Sequence, residues 1–176
     1  MNIVILNGSP RKNGNTEIMV DTFLKGAEKS GNQVQKFNLG EMKVAPCLGC
    51  SYCLSHDGEC VQKDDMKTIL EAVDTADMLV LASPIYWFSV TGQTKCAIDR
   101  LYARARKGFH IQYTGLLLDS GAEGVFDSAI SLYKATNSYV GWKDRGIITI
   151  GGMTKKGDMS NHAKLEEVYQ FGESLI

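Results

Sequence analysis

Short apolar runs bounded by turn-forming residues recur along the chain at residues 3–6, 78–82, 116–118 and 147–150, with a weaker, polar-alternating run at 34–39. Continuous apolar runs predict strands buried on both faces, and the alternating one predicts a strand at a sheet edge. The reading is therefore four buried strands and one edge strand. Between them the period changes. Met66, Ile69, Leu70 and Val73 follow the i, i+3, i+4, i+7 spacing of a helix with one apolar stripe, and Phe126, Ala129, Ile130 and Tyr133 repeat it. Met19, Phe23 and Ala27 place another apolar face between the first two strands, and Gly31 suits the left-handed end of that helix. The repeated β-α-β order predicts an α/β fold: a five-stranded parallel, doubly wound sheet with helices on both faces. Such sheets bind ligands in a crevice at the carboxyl ends of their strands.

Composition narrows the ligand. With 176 residues, 44% of them hydrophobic, the chain is expected to form one domain over residues 1–176. A net charge of -1 provides no field for nucleic acid or an anionic membrane, so a small molecule is the expected partner. No apolar run reaches the roughly 20 residues that span a bilayer, and the amino terminus reads as a strand and not a signal peptide. A cytoplasmic protein is expected. No repeat or low-complexity tract interrupts the chain. Residues 40–63 form the one connection too long for a plain turn, and that insertion holds four of the five cysteines.

The loop after the first strand reads Asn7-Gly8-Ser9-Pro10-Arg11-Lys12-Asn13-Gly14-Asn15-Thr16. Its hydroxyls at Ser9 and Thr16, amides at Asn13 and Asn15, the Arg11 guanidinium and the free N–H groups of a helix start suit one phosphate. The loop lacks both G-x-G-x-x-G and the Gly-Lys-Ser/Thr of a Walker A motif. An ordinary capped turn draws on the same residue types.

Gly-Ser-Pro-Arg followed by Asn-Thr resembles the phosphate loop of the NAD(P)H-dependent FMN reductases, flavodoxin-like flavoproteins that include the iron-sulfur flavoproteins. Ala76-Asp77 before the third strand, Ser83-Pro84-Ile85-Tyr86-Trp87 after it, and Lys95 with Asp99-Arg100 in the next helix match that family in order. The resemblance covers most of residues 1–105 and implies a flavodoxin-like sandwich of strand order 2-1-3-4-5. It also implies FMN as cofactor, NADH or NADPH as hydride donor, and a quinone, flavin, azo or nitro compound or iron-sulfur cluster as acceptor. A homodimer or homotetramer comes with it. Residues Pro84, Ile85, Tyr86, Trp87 and Phe88 would supply the wall and N–H donors for the flavin ring. Core or interface packing is the competing role for Trp87 and Phe88. Ser120 and Gly121, within residues 119–123, would border the ring as a third loop. Because the flavin carries the chemistry, no side chain is expected to act as acid or base. A flavodoxin-type or iron-sulfur flavoprotein electron carrier without small-molecule turnover is the alternative. Flavodoxins that carry electrons are generally strongly acidic, and this chain is nearly neutral.

Cys47, Cys50, Cys53 and Cys60 give the pattern C-x2-C-x2-C-x6-C. Thiolates at that spacing can face one iron-sulfur cube, whereas structural zinc usually joins two separated C-x2-C knuckles. The run resembles the motif that holds a [4Fe-4S] cluster in iron-sulfur flavoproteins. Cluster-free members of the wider family also carry cysteines here, beside an Asp-Asp pair like Asp64-Asp65, so a cluster, plain thiols and zinc all stay open. Cys96 reads as a small core residue, His56 as an occasional substitute ligand, and His110 and His162 as solvated. Lys155-Lys156-Gly157-Asp158 reads as solvated loop or the border of a nicotinamide site.

Overall fold

The computed structural model describes residues 1–176. Its strands are β1 (Asn2–Asn7), β2 (Gln33–Asn38), β3 (Met78–Pro84), β4 (Tyr113–Asp119) and β5 (Lys143–Ile150). Its helices are α1 (Asn15–Lys29), α2 (Tyr52–Ser55), α3 (Met66–Val73), α4 (Gly92–Arg100), α5 (Asp127–Val140) and α6 (Leu165–Glu173). The strands pair in parallel in the order β2-β1-β3-β4-β5.

Side chains alternate across each strand, so one apolar run serves two cores. Val4, Leu6, Leu79, Leu81, Leu116 and Leu118 face α3, α4 and α5. Ile3, Ile5, Met78, Val80, Leu117 and Ile148 face α1 and α6. The apolar stripes expected at residues 66–73 and 126–133 lie in the first core, with Met66, Ile69, Leu70, Val73, Ala129 and Tyr133 all buried. Gly31 follows α1 with φ +81°, as its position suggested.

Two features differ from the sequence reading. β5 is a second edge strand: Lys143, Asp144 and Arg145 are exposed, and only its carboxyl half carries the apolar run. The order 2-1-3-4-5 leaves β2 and β5 with one neighbour each, so one edge was too few. Helix α6 was not anticipated, because Val168 and Gly172 are its only fully buried residues. It docks on α1 at a distance that excludes side chains. A Cβ at Gly26 would lie 2.1 Å from the Tyr169 carbonyl, and one at Gly172 would lie 2.2 Å from that of Phe23.

The chain leaves β1 for β2 on one side and returns to β3 on the other. Their carboxyl ends therefore part at the switch point, where a crevice opens.

Candidate functional site

The loop after β1 is built to turn sharply into a helix start. The Gly8 N–H donates to the Ala82 carbonyl at 2.8 Å, drawing the loop against β3. Only glycine fits there, since a Cβ would fall 1.7 Å from Thr94 Oγ1. The Ser9 N–H donates to Asn7 Oδ1 at 3.2 Å and the Arg11 N–H to Ser9 Oγ at 3.2 Å, closing a compact turn. Gly14 then caps α1 without a side-chain hydrogen bond. The N–H groups of Asn15, Thr16 and Glu17 have no acceptor, and the next, Ile18, donates to the Gly14 carbonyl. Three free donors at the positive end of a 15-residue helix are suited to receive an anion.

This helix start forms one wall of a cleft of about 190 Å³, open to solvent. Ser9, Arg11, Gly14, Asn15 and Thr16 line it from the first loop, and Pro84, Ile85 and Tyr86 from the loop after β3. Asp119, Ser120 and Gly121 come from the end of β4, and Met153, Thr154 and Lys156 from the loop after β5. Nine of the residues expected to hold a cofactor are thus brought together. Asn13, Trp87 and Phe88 do not line the cleft. The Asn13 N–H is spent on Glu17 Oε2 at 2.5 Å.

Individual roles also depart from expectation. The Asn15 side chain faces away from any anion: it donates to the Lys155 carbonyl at 2.8 Å and accepts from the N–H groups of Gly157 and Met159. It locks the loop after β5 over α1 and leaves only its backbone N–H for a ligand. Thr16 Oγ1 donates to Asp119 Oδ1 at 2.5 Å. Asp119 is 4% exposed, and burial pushes its carboxyl up to about 6 against the opposing pull of Thr16 and the Arg11 charge. Gly14, Met153 and Thr154 were not expected in the site, and Asp119 was expected only as the first residue of the third loop, with no role of its own. For Asp119 the available signal was an acid that ends a buried strand at the sheet's carboxyl edge.

The loop after β3 is a two-residue hairpin. The Tyr86 N–H donates to the Ser89 carbonyl at 2.9 Å and the Ser89 N–H returns to that of Tyr86 at 3.2 Å. Trp87 and Phe88 occupy its centre with φ of +48° and +65°. Such turns ordinarily take Asn-Gly, so two bulky aromatics there hold backbone strain. Trp87 is 93% exposed and Phe88 59%, and neither N–H has an acceptor. Gly121 is free of its own chain: nothing lies within 3.7 Å of where its Cβ would be, the nearest atom being the Met153 carbonyl oxygen at 3.8 Å. It leaves room for a ligand against the backbone.

The cysteine loop forms a second cavity, of about 270 Å³, lined by Cys47, Cys50, Cys53 and Cys60 together with Leu48, Val61, Tyr102 and Ala103. No three Cys, His, Asp or Glu side chains converge on a single ion. Zinc needs its thiolates about 2.3 Å from one point, whereas each iron of a cluster takes one thiolate and spreads the set. His56 stacks on Tyr52, with ring centroids 3.5 Å apart, and lies outside this lining. Cys96 is half-buried and not a core residue. His110 is exposed and pairs with Asp77 at 3.2 Å.

Asp64 organises the start of this loop. It accepts from the N–H groups of Ala45 and Met66 and from Arg100, while Asp65 accepts from that of Lys43 at 2.7 Å. Burial works against the Asp64 charge, but these donors outweigh it and hold its carboxyl below the usual range. Lys95 pairs with Asp99 at 2.5 Å on the exposed face of α4, as a structural reading anticipated. Arg100 instead turns inward.

A 2-1-3-4-5 parallel sheet with helices on both faces and a crevice at its switch point defines a flavodoxin-like fold. The family model for NADPH-dependent FMN reductase matches residues 1–148, and the chain belongs to that family. It is 46% identical over 101 residues to an iron-sulfur flavoprotein of Archaeoglobus fulgidus, covering 57% of this chain and 46% of that protein. A second iron-sulfur flavoprotein of that organism is 31% identical over 152 residues, covering 85% of this chain and 75% of the relative. The chain spans about half the length of the first relatives it matches. The NAD(P)H:quinone oxidoreductase of Methanothermobacter marburgensis superposes with a TM-score of 0.78 at 21% identity, over 98% of this chain and 94% of that one. An FMN-dependent NADH-azoreductase of Bacillus anthracis, solved with FMN, does so at 0.70 and 15% identity, over 98% and 95%. At these identities the likeness is one of fold. No helix is long and apolar enough to cross a membrane.

Proposed function

We propose that the chain binds FMN in the cleft at the switch point. It then acts as an oxidoreductase that takes a hydride from NADH or NADPH and passes electrons to a quinone, a flavin, an azo or nitro compound, or an iron-sulfur cluster. One observation carries this: three unpaired helix N–H groups and Arg11 stand at one wall of a cleft whose other walls are the loops after β3 and β4. The phosphate would lie on the N–H groups of Asn15, Thr16 and Glu17 with Arg11 as counter-charge. The ring would rest along Pro84, Ile85 and Tyr86, with Gly121 allowing close backbone approach. The open N–H groups of Trp87, Phe88 and Gly121 are available donors beside it. Bound FMN would supply the hydride and electron chemistry. The chain's residues hold and orient it, and none is assigned a proton transfer.

Exposed Trp87 and Phe88 support a second subunit packing over the cleft, in a homodimer or homotetramer. Dependence on NADH or NADPH supports a cytoplasmic location. The cavity shared by the four cysteines supports the second reading, an iron-sulfur flavoprotein that carries electrons without turning over a small molecule.

Anaerobic mixing of the FMN-loaded protein with NADH and with NADPH separates the two. Bleaching near 450 nm within seconds supports the reductase. Failure with both nucleotides, where dithionite succeeds, supports the carrier.

A further inference from the structure

Arg100 is the most deeply buried charged residue of the chain, at 2% exposure. Two of its nitrogens are committed: Nη1 donates to the Ala45 carbonyl at 2.9 Å and to Asp64 Oδ2 at 2.8 Å, and Nη2 to Asp64 Oδ1 at 2.9 Å. The third, Nε, is buried and has no partner. An unmade buried hydrogen bond costs about 1–3 kcal/mol and folds seldom leave one; the Trp142 indole N–H, away from the cysteine cavity, is the other here. Arg100, like Cys60, lines the cavity that Cys47, Cys50 and Cys53 share. Asp64, its counter-charge, is not part of that lining, and the one carboxylate that is, Asp99, pairs with Lys95. Two neighbouring arginines brace the same loop, Arg104 through the Gly58 carbonyl and Arg106 through that of Leu54.

We propose that Arg100 is a positioning residue for an iron-sulfur cluster on Cys47, Cys50, Cys53 and Cys60. Its unpartnered Nε–H donates to the sulfur of the cluster or of a ligating cysteine, and its charge favours the cluster's reduced state. The inference rests on the cluster reading of the cysteine loop. One-electron reduction, with the electron coming from reduced flavin or from dithionite, adds one negative charge to the cluster and its thiolates. No bond is made or broken. A buried cation fixed at the wall of the pocket stabilises that extra charge, and hydrogen bonds to the sulfurs act in the same direction.

The test uses the full chain, reconstituted anaerobically with ferrous iron and sulfide, as wild type, Arg100→Gln, Arg100→Lys and the exposed control Lys134→Gln. Iron and acid-labile sulfide are counted, FMN content and circular dichroism check the fold, and the cluster is titrated potentiometrically by its EPR signal after reduction. Arg100→Gln is expected to shift the reduction equilibrium at least tenfold toward the oxidised cluster, or 59 mV for a one-electron couple. Arg100→Lys should restore part of the shift and Lys134→Gln should cause none. If Arg100→Gln fails to assemble, the Lys variant decides: assembly with a lowered potential supports the proposal. A Gln variant at the wild-type potential overturns it. Loss of iron from both Arg100 variants with flavin retained also overturns it, leaving a purely structural role. A wild type that takes up no iron removes the cluster reading and this proposal together, and leaves FMN binding standing.

Discussion

Thr16, in the first turn of α1, donates its hydroxyl to the carboxylate of Asp119, the last residue of β4, at 2.5 Å across the carboxyl end of the sheet. The pair places a buried acid beside the helix start where a phosphate would lie. The Asp119 carboxyl sits at about 6 instead of 3.8, so between those values the folded protein keeps a proton that the unfolded chain releases. Stability therefore falls as pH rises through that window, and above about 6 the buried charge costs about 3 kcal/mol.

Asp119→Asn should accordingly raise the midpoint of urea unfolding at pH 8 and have little effect near pH 4. FMN carries its own titration near pH 6, so the informative quantity is the ratio of Asn-variant to wild-type affinity. It should grow as pH rises through 6. Flat ratios and equal midpoints at pH 8 would show that Asp119 is not a buried charge.

Arg11 is exposed and its backbone N–H, not its guanidinium, holds the loop turn. Arg11→Ala should therefore leave the unfolding midpoint unchanged and weaken FMN about tenfold or more, the loss of a charge-assisted contact worth about 1.5–3 kcal/mol. Fluorescence titration reads it, and unchanged affinity would remove Arg11 from the phosphate site.

Gly8→Ala forces a methyl group to within 1.7 Å of Thr94 Oγ1. The expected loss is about 1–3 kcal/mol in chemical denaturation of the apoprotein. The double variant with Thr94→Ala should recover part of it, because the two positions share one contact.

Replacing Trp87-Phe88 with Asn-Gly relieves two positive-φ aromatics, so the apoprotein should gain stability of about 1 kcal/mol. If these rings cover flavin or a second subunit, the same change lowers FMN affinity or oligomer mass, read by fluorescence titration and light scattering. A variant that gains stability and loses neither would assign the rings no such role.

Much of the fold was legible because the buried strands are continuous apolar runs. Ile3 and Ile5 serve one core while Val4 and Leu6 serve the other, and nothing local competes with that signal. Helix α6 was not legible, since its contact with α1 rests on Gly26 and Gly172, where closeness comes from missing side chains. In the site, the helix start was readable from Gly14-Asn15-Thr16. The division of labour was not: the Asn15 side chain is captured by residues 155–159, more than 100 positions away. Arg100 was equally hidden. Its neighbours Lys95 and Asp99 form the local pair that spacing suggests, whereas its own partners, Asp64 and Ala45, lie across the cysteine loop.

Comparing FMN with riboflavin for the apoprotein tests the phosphate site most directly, because the two differ only in the group assigned to the start of α1. FMN is predicted to bind at least tenfold tighter than riboflavin at pH 7, and Arg11→Ala should narrow the gap. Equal affinity for the two flavins would contradict a phosphate seated on Asn15, Thr16 and Glu17.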